Sequence, residues 1–369
     1  MTIQLSGPDI TQAEIDAVAT VLRSGRLSLG PAIETFEQAL AEYVGVQHGI
    51  AVSSGTAGLH LLIRAMEIGS GDEVISTPFS FIASSNCILF EQAKPVLVDI
   101  DPHTWNIDPA GIEAAVTPRT RAIIPVDVFG EVADMAAIEA IARRHNLRII
   151  EDSCEGLGSR YQGRMAGSFG DAGVFGFYPN KQITTGEGGM ITTNNDDIAR
   201  LCRSMRNQGR DTGMGWLSHE RLGYNYRLSD IAAAIGAVQM SRIDEILSKR
   251  QCVAGWYRDR LADEPRLTLQ KGCEACDRSW FVFVVKLASD FTEEDRADRI
   301  ARLRERGIGC SNYFAPIHLQ PFYQEQFGYE PGDFPVCEGV AARTIALPFH
   351  NGLSESDVDK VCQTLRSIL

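Results

Sequence analysis

From about the fiftieth residue onward, short apolar runs alternate with stretches of helical spacing, and no other feature restricts the possible folds as strongly. The runs at 50–53, 73–76, 95–100, 121–126 and 148–151 have strand length. Between them, Leu59, Leu62, Ile63 and Met66 share one helical face, and further helical stretches lie at 80–91, 108–116 and 134–145. Alternation of this kind implies right-handed crossovers and a mainly parallel sheet. The runs at 170–178 and 189–193 read as two more strands of that sheet. Thr11 with Glu14 forms a capping box, and Ile15, Val18 and Leu22 then recur at helical spacing.

The pattern changes after one long helical stretch at 229–261, which could bridge two domains. Strands at 280–287 and 344–347, with helices at 293–306 and 355–369, make a compact α+β unit. The expected architecture is α/β: a large domain over 1–245 and a smaller C-terminal α+β domain over 246–369. A chain of 369 residues exceeds one ordinary core and suits this division. Thirty-five basic against 48 acidic side chains leave a net charge of −13, which excludes a general nucleic-acid binder but not a local basic pocket. Residues 1–7 lack the charged and apolar regions of a signal peptide, and no apolar run is long enough to span a bilayer. A cytoplasmic protein is therefore expected. Nine cysteines, an odd number, argue against a disulfide framework there. Cys273 and Cys276 form a CxxC with no second pair to complete a zinc site, so a surface turn is expected and no metal.

Three places carry candidate chemistry. Ser54-Gly55-Thr56-Ala57 lies where a strand ends and a helix begins, and free N–H groups at a positive helix end suit a phosphate. Many turns of this composition bind nothing. Asp152 closes the strand Arg148-Ile-Ile-Glu-Asp, at the end of the sheet where α/β folds keep ligands. It could pair with a protonated pyridine nitrogen or simply cap the next segment. Lys181 stands between the aromatic run Phe175-Gly-Phe-Tyr-Pro and the turn Gly186-Glu-Gly188-Gly189. Partial desolvation there would favour the neutral amine that imine formation requires, whereas a solvated loop lysine would do nothing.

Taken together, these segments resemble the DegT/DnrJ/StrS family of sugar-nucleotide aminotransferases, fold type I enzymes that use pyridoxal 5'-phosphate (PLP). The resemblance is carried by Ser24-Gly-Arg-Leu-Ser-Leu-Gly-Pro31, Ser53 to Gly58, Thr77-Pro-Phe-Ser-Phe81, Glu151-Asp152, the Lys181 segment, Gly223-Tyr-Asn225-Tyr-Arg227 and Tyr313-Phe-Ala-Pro-Ile-His318-Leu-Gln-Pro-Phe-Tyr323. It implies that Lys181 holds the cofactor as a Schiff base and shuttles protons. It implies that Asp152 binds the pyridine nitrogen and that Phe81 stacks on the ring, although an aromatic on a helix face is usually core. Gly55, Thr56 and Ala57 would hold the phosphate, helped by Asn225 of the partner subunit in a homodimer with shared active sites. Asn225 could equally be a turn residue.

Two positions depart from the family pattern. Gly176 stands five residues before the lysine, where many relatives have a phosphate-binding serine. Glu155 stands three after Asp152, near the cofactor's ring oxygen, where many have His or Gln. A carboxylate there would be repelled unless protonated or turned away.

The resemblance implies an amino donor, glutamate, and a nucleotide-sugar acceptor in deoxyamino-sugar biosynthesis, as in O-antigen assembly. The stretch from Tyr313 to Tyr323 is most similar to the GDP-perosamine synthase group, whose keto carbon is C4 of a 6-deoxyhexose. Tyr313 and His318 are the candidate sugar contacts, with a buried structural histidine the other reading of His318. A sugar dehydratase or a cyclitol aminotransferase would share fold and cofactor, although dehydratase relatives carry His in place of Lys181. A non-catalytic regulator or a nucleotide-sugar binding module would belong to other classes.

Overall fold

The computed structural model describes all residues except 1, 212, 214 and 216. Its main sheet has seven strands: β1 (His48–Val52), β2 (Glu73–Ser76), β3 (Lys94–Leu97), β4 (Thr120–Ile123), β5 (Arg148–Asp152), then β8 (Ala172–Gly176) and β9 (Gly189–Thr193). A short hairpin, β6 (Arg160–Tyr161) and β7 (Arg164–Met165), lies between β5 and β8. The spatial order is β1-β9-β8-β5-β4-β2-β3, with β8, β5, β4, β2 and β3 parallel and β9 antiparallel to both its neighbours. The mainly parallel sheet expected of the sequence is therefore present. A parallel return from β8 to β9 would need a crossover element. The link at 177–188 contains none, so β9 turns back against β8, and Lys181 lies in that link.

The helices begin with α1 (Gln12–Ser24), α2 (Pro31–Val44), α3 (Gly55–Ala65), α4 (Ala83–Phe90), α5 (Pro109–Ala115), α6 (Met135–His145) and α7 (Asp196–Arg206). Of these, α2 to α7 pack on the two faces of the sheet over continuous apolar clusters. The capping box of α1 forms as expected, with both Thr11 groups on Glu14 at 2.6 and 2.8 Å. Its apolar face does not turn inward, however: Ile15 and Leu22 are 54% and 53% exposed. Glu14 takes the inner face instead, accepting from Gln239 and Arg242 at 2.7 Å each.

The single helix expected over 229–261 is two, α8 (Asp230–Ser241) and α9 (Ile243–Leu261). Arg242 breaks it with φ −111° and ψ 10°, and its guanidinium is held by Asp9, at 2.9 Å, and by Glu14. Apolar spacing continues through this point, so the break has no signature in the periodicity.

After α9, strands β10 (Leu267–Leu269), β11 (Cys276–Asp277), β12 (Phe283–Leu287) and β13 (Thr344–Leu347) follow, with β10-β12-β13 forming a second, antiparallel sheet. Helices α10 (Glu293–Glu305), α11 (Pro321–Phe327), α12 (Pro335–Ala341) and α13 (Glu355–Ile368) accompany it. Its core includes Ile3, whose backbone pairs with residues 307 and 309 at 2.8 Å. Cys276 donates its N–H to the carbonyl of Cys273 at 3.0 Å, so the CxxC forms a turn, from which β11 pairs with β6. Among the described residues no helix is long and apolar enough to cross a membrane.

Candidate active site

The C-terminal ends of β5 and β8 and the N-terminus of α3 meet beside the link that carries Lys181. Close backbone approach explains the glycines there. A Cβ on Gly189 would stand 2.5–2.6 Å from the backbone of Ser54 and Gly55, and one on Gly55 would stand 2.7 Å from Cys154 Sγ. The first turn of α3 has no intrahelical acceptors for its N–H groups. Ser54 caps it by accepting from Ala57 N at 3.1 Å. The N–H of Ala57 is thus engaged within the chain, and the donors left at this turn are the N–H groups of Gly55 and Thr56 with the Thr56 hydroxyl. At Gly176 an added Cβ would lie 3.4 Å from Cys154 Sγ, so the thiol fills the space beside the position where many relatives carry serine.

Asp152 is buried at the end of β5. One carboxylate oxygen accepts from Ser84 Oγ at 2.7 Å, the other from Cys154 N at 3.2 Å. Ser84 lies three residues beyond Phe81, on the first turn of α4, and its hydroxyl also bonds the Phe81 carbonyl. Phe81 itself is 64% exposed, which excludes the core reading of this aromatic and leaves its ring uncovered.

Lys181 Nζ sits 3.2 Å from Glu155 Oε1 and 4.0 Å above the ring of Phe281, with its side chain 15% exposed. The ammonium is therefore held by a carboxylate and by an aromatic face. The other Glu155 oxygen accepts from Phe129 N at 2.9 Å, a residue in the left-handed region at φ 59°. Burial pushes the Glu155 carboxyl above its usual range, opposed by the charge of Lys181. Burial, reinforced by Asp152, pushes the Cys154 thiol well up. Behind this layer Asp127 and Glu151 form a buried carboxyl pair. Desolvation raises both, with mutual repulsion adding at Asp127, and Glu151 is pushed up to about 7. Asp127 accepts from Ser153 Oγ at 2.8 Å, which anchors the loop bearing Cys154 and Glu155.

Tyr313 reaches the same cleft. Its ring lies parallel to that of Phe281 with centroids 6.5 Å apart, and burial, then the charge of Glu155, raises its hydroxyl. His318 does not open on it: its side chain is 0% exposed, its Nε2 lies 3.0 Å from Glu338, and Phe334 packs at 4.7 Å. That placement favours the buried structural histidine over a sugar contact. Asn225 is exposed on an extended segment that bridges Asn207.

These groups fit PLP. The open first turn of α3 offers donors to an anion, Asp152 is a held carboxylate, Phe81 is an uncovered ring, and Lys181 is a half-buried amine. The buried Oδ1 of Asn180, one residue before Lys181, has no partner within the chain. Ser84 and Phe281 went unread in the sequence. Ser84 carries a faint signal, since it shares a helical face with Phe81 at i+3. Phe281, 100 positions from Lys181, carries none; Arg250 secures it by donating to its carbonyl at 2.7 Å.

The burial of Glu155 has a measurable consequence. Its carboxyl releases a proton less readily folded than unfolded, so the folded state binds more protons and its stability falls as pH rises from about 4.5 to the folded-state value. Glu155→Gln removes that titration while keeping an acceptor for Phe129 N–H. The stability of the variant relative to the wild type should rise across this window, by up to about 1.4 kcal/mol per pH unit. Urea unfolding at a series of pH values measures it, and a constant difference would mean that Glu155 is not desolvated.

A family model described as the DegT/DnrJ/EryC1/StrS aminotransferase family matches residues 8–366. GDP-perosamine synthase of Caulobacter vibrioides is 41% identical over 369 residues, covering 100% of this chain and 98% of that protein. Among solved structures, Helicobacter pylori PseC, an aminotransferase involved in the biosynthesis of pseudoaminic acid, superposes with a TM-score of 0.94 at 29% identity. It covers 100% of this chain and 99% of its own. A Streptococcus pneumoniae protein assigned as a sugar aminotransferase, solved in its PLP form, gives 0.94 at 29% identity, covering 100% and 98%.

Proposed function

Because the chain belongs to the DegT/DnrJ/EryC1/StrS aminotransferase family and is a PLP-dependent sugar aminotransferase of fold type I, we propose that it moves the amino group of glutamate to C4 of a nucleotide-linked 4-keto-6-deoxyhexose. The observation that carries the chemistry is the seat of Lys181, a lysine amine between Glu155 and Phe281 beside the open turn of α3. The preference for C4 rests on end-to-end similarity to GDP-perosamine synthase.

When bound, PLP supplies the electron sink that makes the Cα–H bond of an amino acid acidic and carries nitrogen between the two half-reactions. This chain's residues do the remainder. Lys181 Nζ would hold the cofactor and, when free, would be the base that removes the donor's α-proton and the acid that protonates the sugar carbon receiving nitrogen. Asp152, fixed by Ser84, would hold the proton on the ring nitrogen. Phe81 would cover a ring face, and Gly55 and Thr56 would hold the phosphate by their N–H groups. Glu155 keeps Lys181 aimed while it is free. Tyr313 lines the side where the sugar enters.

The proposed assembly is a homodimer in which Asn225 reaches the partner's phosphate. Its exposure supports this, as do the exposed Ile15, Leu22, Leu27 and Leu29, apolar surface that a monomer would leave in water. The proposed location is the cytoplasm, a reducing compartment that suits the nine free cysteines.

A panel of keto-sugar nucleotides incubated with glutamate, with products weighed by mass spectrometry, tests the substrate. The 4-keto-6-deoxyhexose should exchange its oxo group for an amino group as 2-oxoglutarate appears. Amination of 3-keto sugars or of free cyclitols alone would overturn the C4 reading.

A further inference from the structure

We propose that His60 is a positioning residue that ties a protomer's own phosphate turn to the Asn225 arm it lends its partner; this rests on the shared-site reading above. His60 lies on α3, five residues beyond Gly55, and is buried. Its Nδ1 is 3.1 Å from the hydroxyl of Tyr226, and its Nε2 is 2.9 Å from Glu91 Oε1. Tyr224 donates to the same Glu91 oxygen at 3.1 Å, and Arg64 holds the other at 2.8 Å. Tyr224 and Tyr226 are the two neighbours of Asn225.

The arm is an extended segment, so its side chains alternate in direction. Tyr224 and Tyr226 point inward, stacked at 5.0 Å with planes 10° apart, and His60 packs on both rings at 4.8 and 5.8 Å. Asn225 must then point outward, and it is exposed. The backbone holds the arm at the same place. Ser53 N, one residue before the cap of α3, donates to the Tyr226 carbonyl at 2.8 Å, while Tyr226 N donates to Arg206 at 3.0 Å.

The polarity of the cluster is determined by its members. Glu91, kept ionised by His60 and Arg64 against its burial, can only accept. Burial raises the hydroxyls of Tyr224, to about 12, and of Tyr226, so both remain donors. Glu91 accepts, so the His60 nitrogen facing it, Nε2, donates, while Nδ1 is hydrogen-bonded to the Tyr226 hydroxyl. The chain Glu91–His60–Tyr226 ties the arm to α3 through side chains, beside the backbone bond from Ser53 to Tyr226. One helix thus begins with the turn that binds phosphate in its own site and continues with the side chain that aims Asn225 into the other.

The test compares release of PLP and of pyridoxal, which lacks the phosphate, from enzyme loaded with each, followed by the cofactor's visible absorbance. His60→Ala and the milder Tyr226→Phe, both checked as dimers by native mass spectrometry, should weaken PLP, on the order of tenfold for His60→Ala, and leave pyridoxal unchanged. In an Asn225→Ala background, adding His60→Ala should cost little more, because both act on one contact. Equal weakening of both ligands, or full additivity with Asn225→Ala, would overturn the proposal. Wild-type PLP affinity in Asn225→Ala alone would bring down the shared-site reading. Weak PLP binding in Asn225→Ala with intact binding in both Tyr226→Phe and His60→Ala would bring down only the role of His60.

Discussion

Replacing Lys181 with alanine is expected to abolish transamination, lowering kcat by at least about 10⁴-fold, because in the proposed mechanism one side chain supplies both the cofactor's covalent anchor and the proton carrier. Phe281 and Glu155, the side chains against Lys181 Nζ, cannot substitute, because neither has an amine to form the Schiff base. In the wild type, borohydride should fix the mass of PLP to the peptide containing Lys181, and in the variant that mass should be absent. The competing position is Lys286. It lies on β12, half-buried, with burial pulling its amine below the usual lysine range and the Trp105 ring 5.7 Å away. A desolvated amine is chemically competent, but the charged neighbour that acts on it is Arg343, not a carboxylate like Asp152. Labelling of Lys286, or of any lysine but 181, would refute the assignment.

A second large effect is expected from mixing two dead proteins. Lys181→Ala removes the anchor, and Asn225→Asp sets a carboxylate against the cofactor's phosphate. If Asn225 acts across a two-fold interface, a mixed dimer has one site with both defects and one with neither. Random pairing makes half of the dimers mixed, each with one intact site, so co-refolded enzyme should recover about one quarter of wild-type activity. If Asn225 served its own chain, every site in the mixture would carry a defect. Absence of recovery, with mixed dimers confirmed by native mass spectrometry, would rule out sharing.

Much of the fold was legible because secondary structure is written in near neighbours. The strands at 73–76, 189–193 and 344–347 match residue for residue, and the capping box at Thr11 and Glu14 forms as read. The antiparallel course of β9 was not read, although the missing helix at 177–188 implied it. The inward turn of Glu14 was not legible either. It is imposed by Gln239 and Arg242, more than 220 residues away, which meet α1 only once α8 is packed. Arg242 breaks a helix whose spacing continues unbroken for the same reason.

The sequence by itself determined the class of fold and the family, and it singled out the segments proposed to carry the chemistry. A lysine before a glycine-rich turn, a carboxylate at a strand end and a small-residue turn at a helix start depend only on local backbone geometry and on residue type. Tertiary structure decided what surrounds them. It placed Phe281 under Lys181, Ser84 on Asp152, Cys154 beside Gly176 and His60 on the tyrosines that flank Asn225, and it withdrew His318 into the interior. Burial, and with it the raised carboxyl of Glu155, depends on every element that closes over a group. Local pattern records the backbone path, while the dielectric surroundings of a side chain exist only after packing.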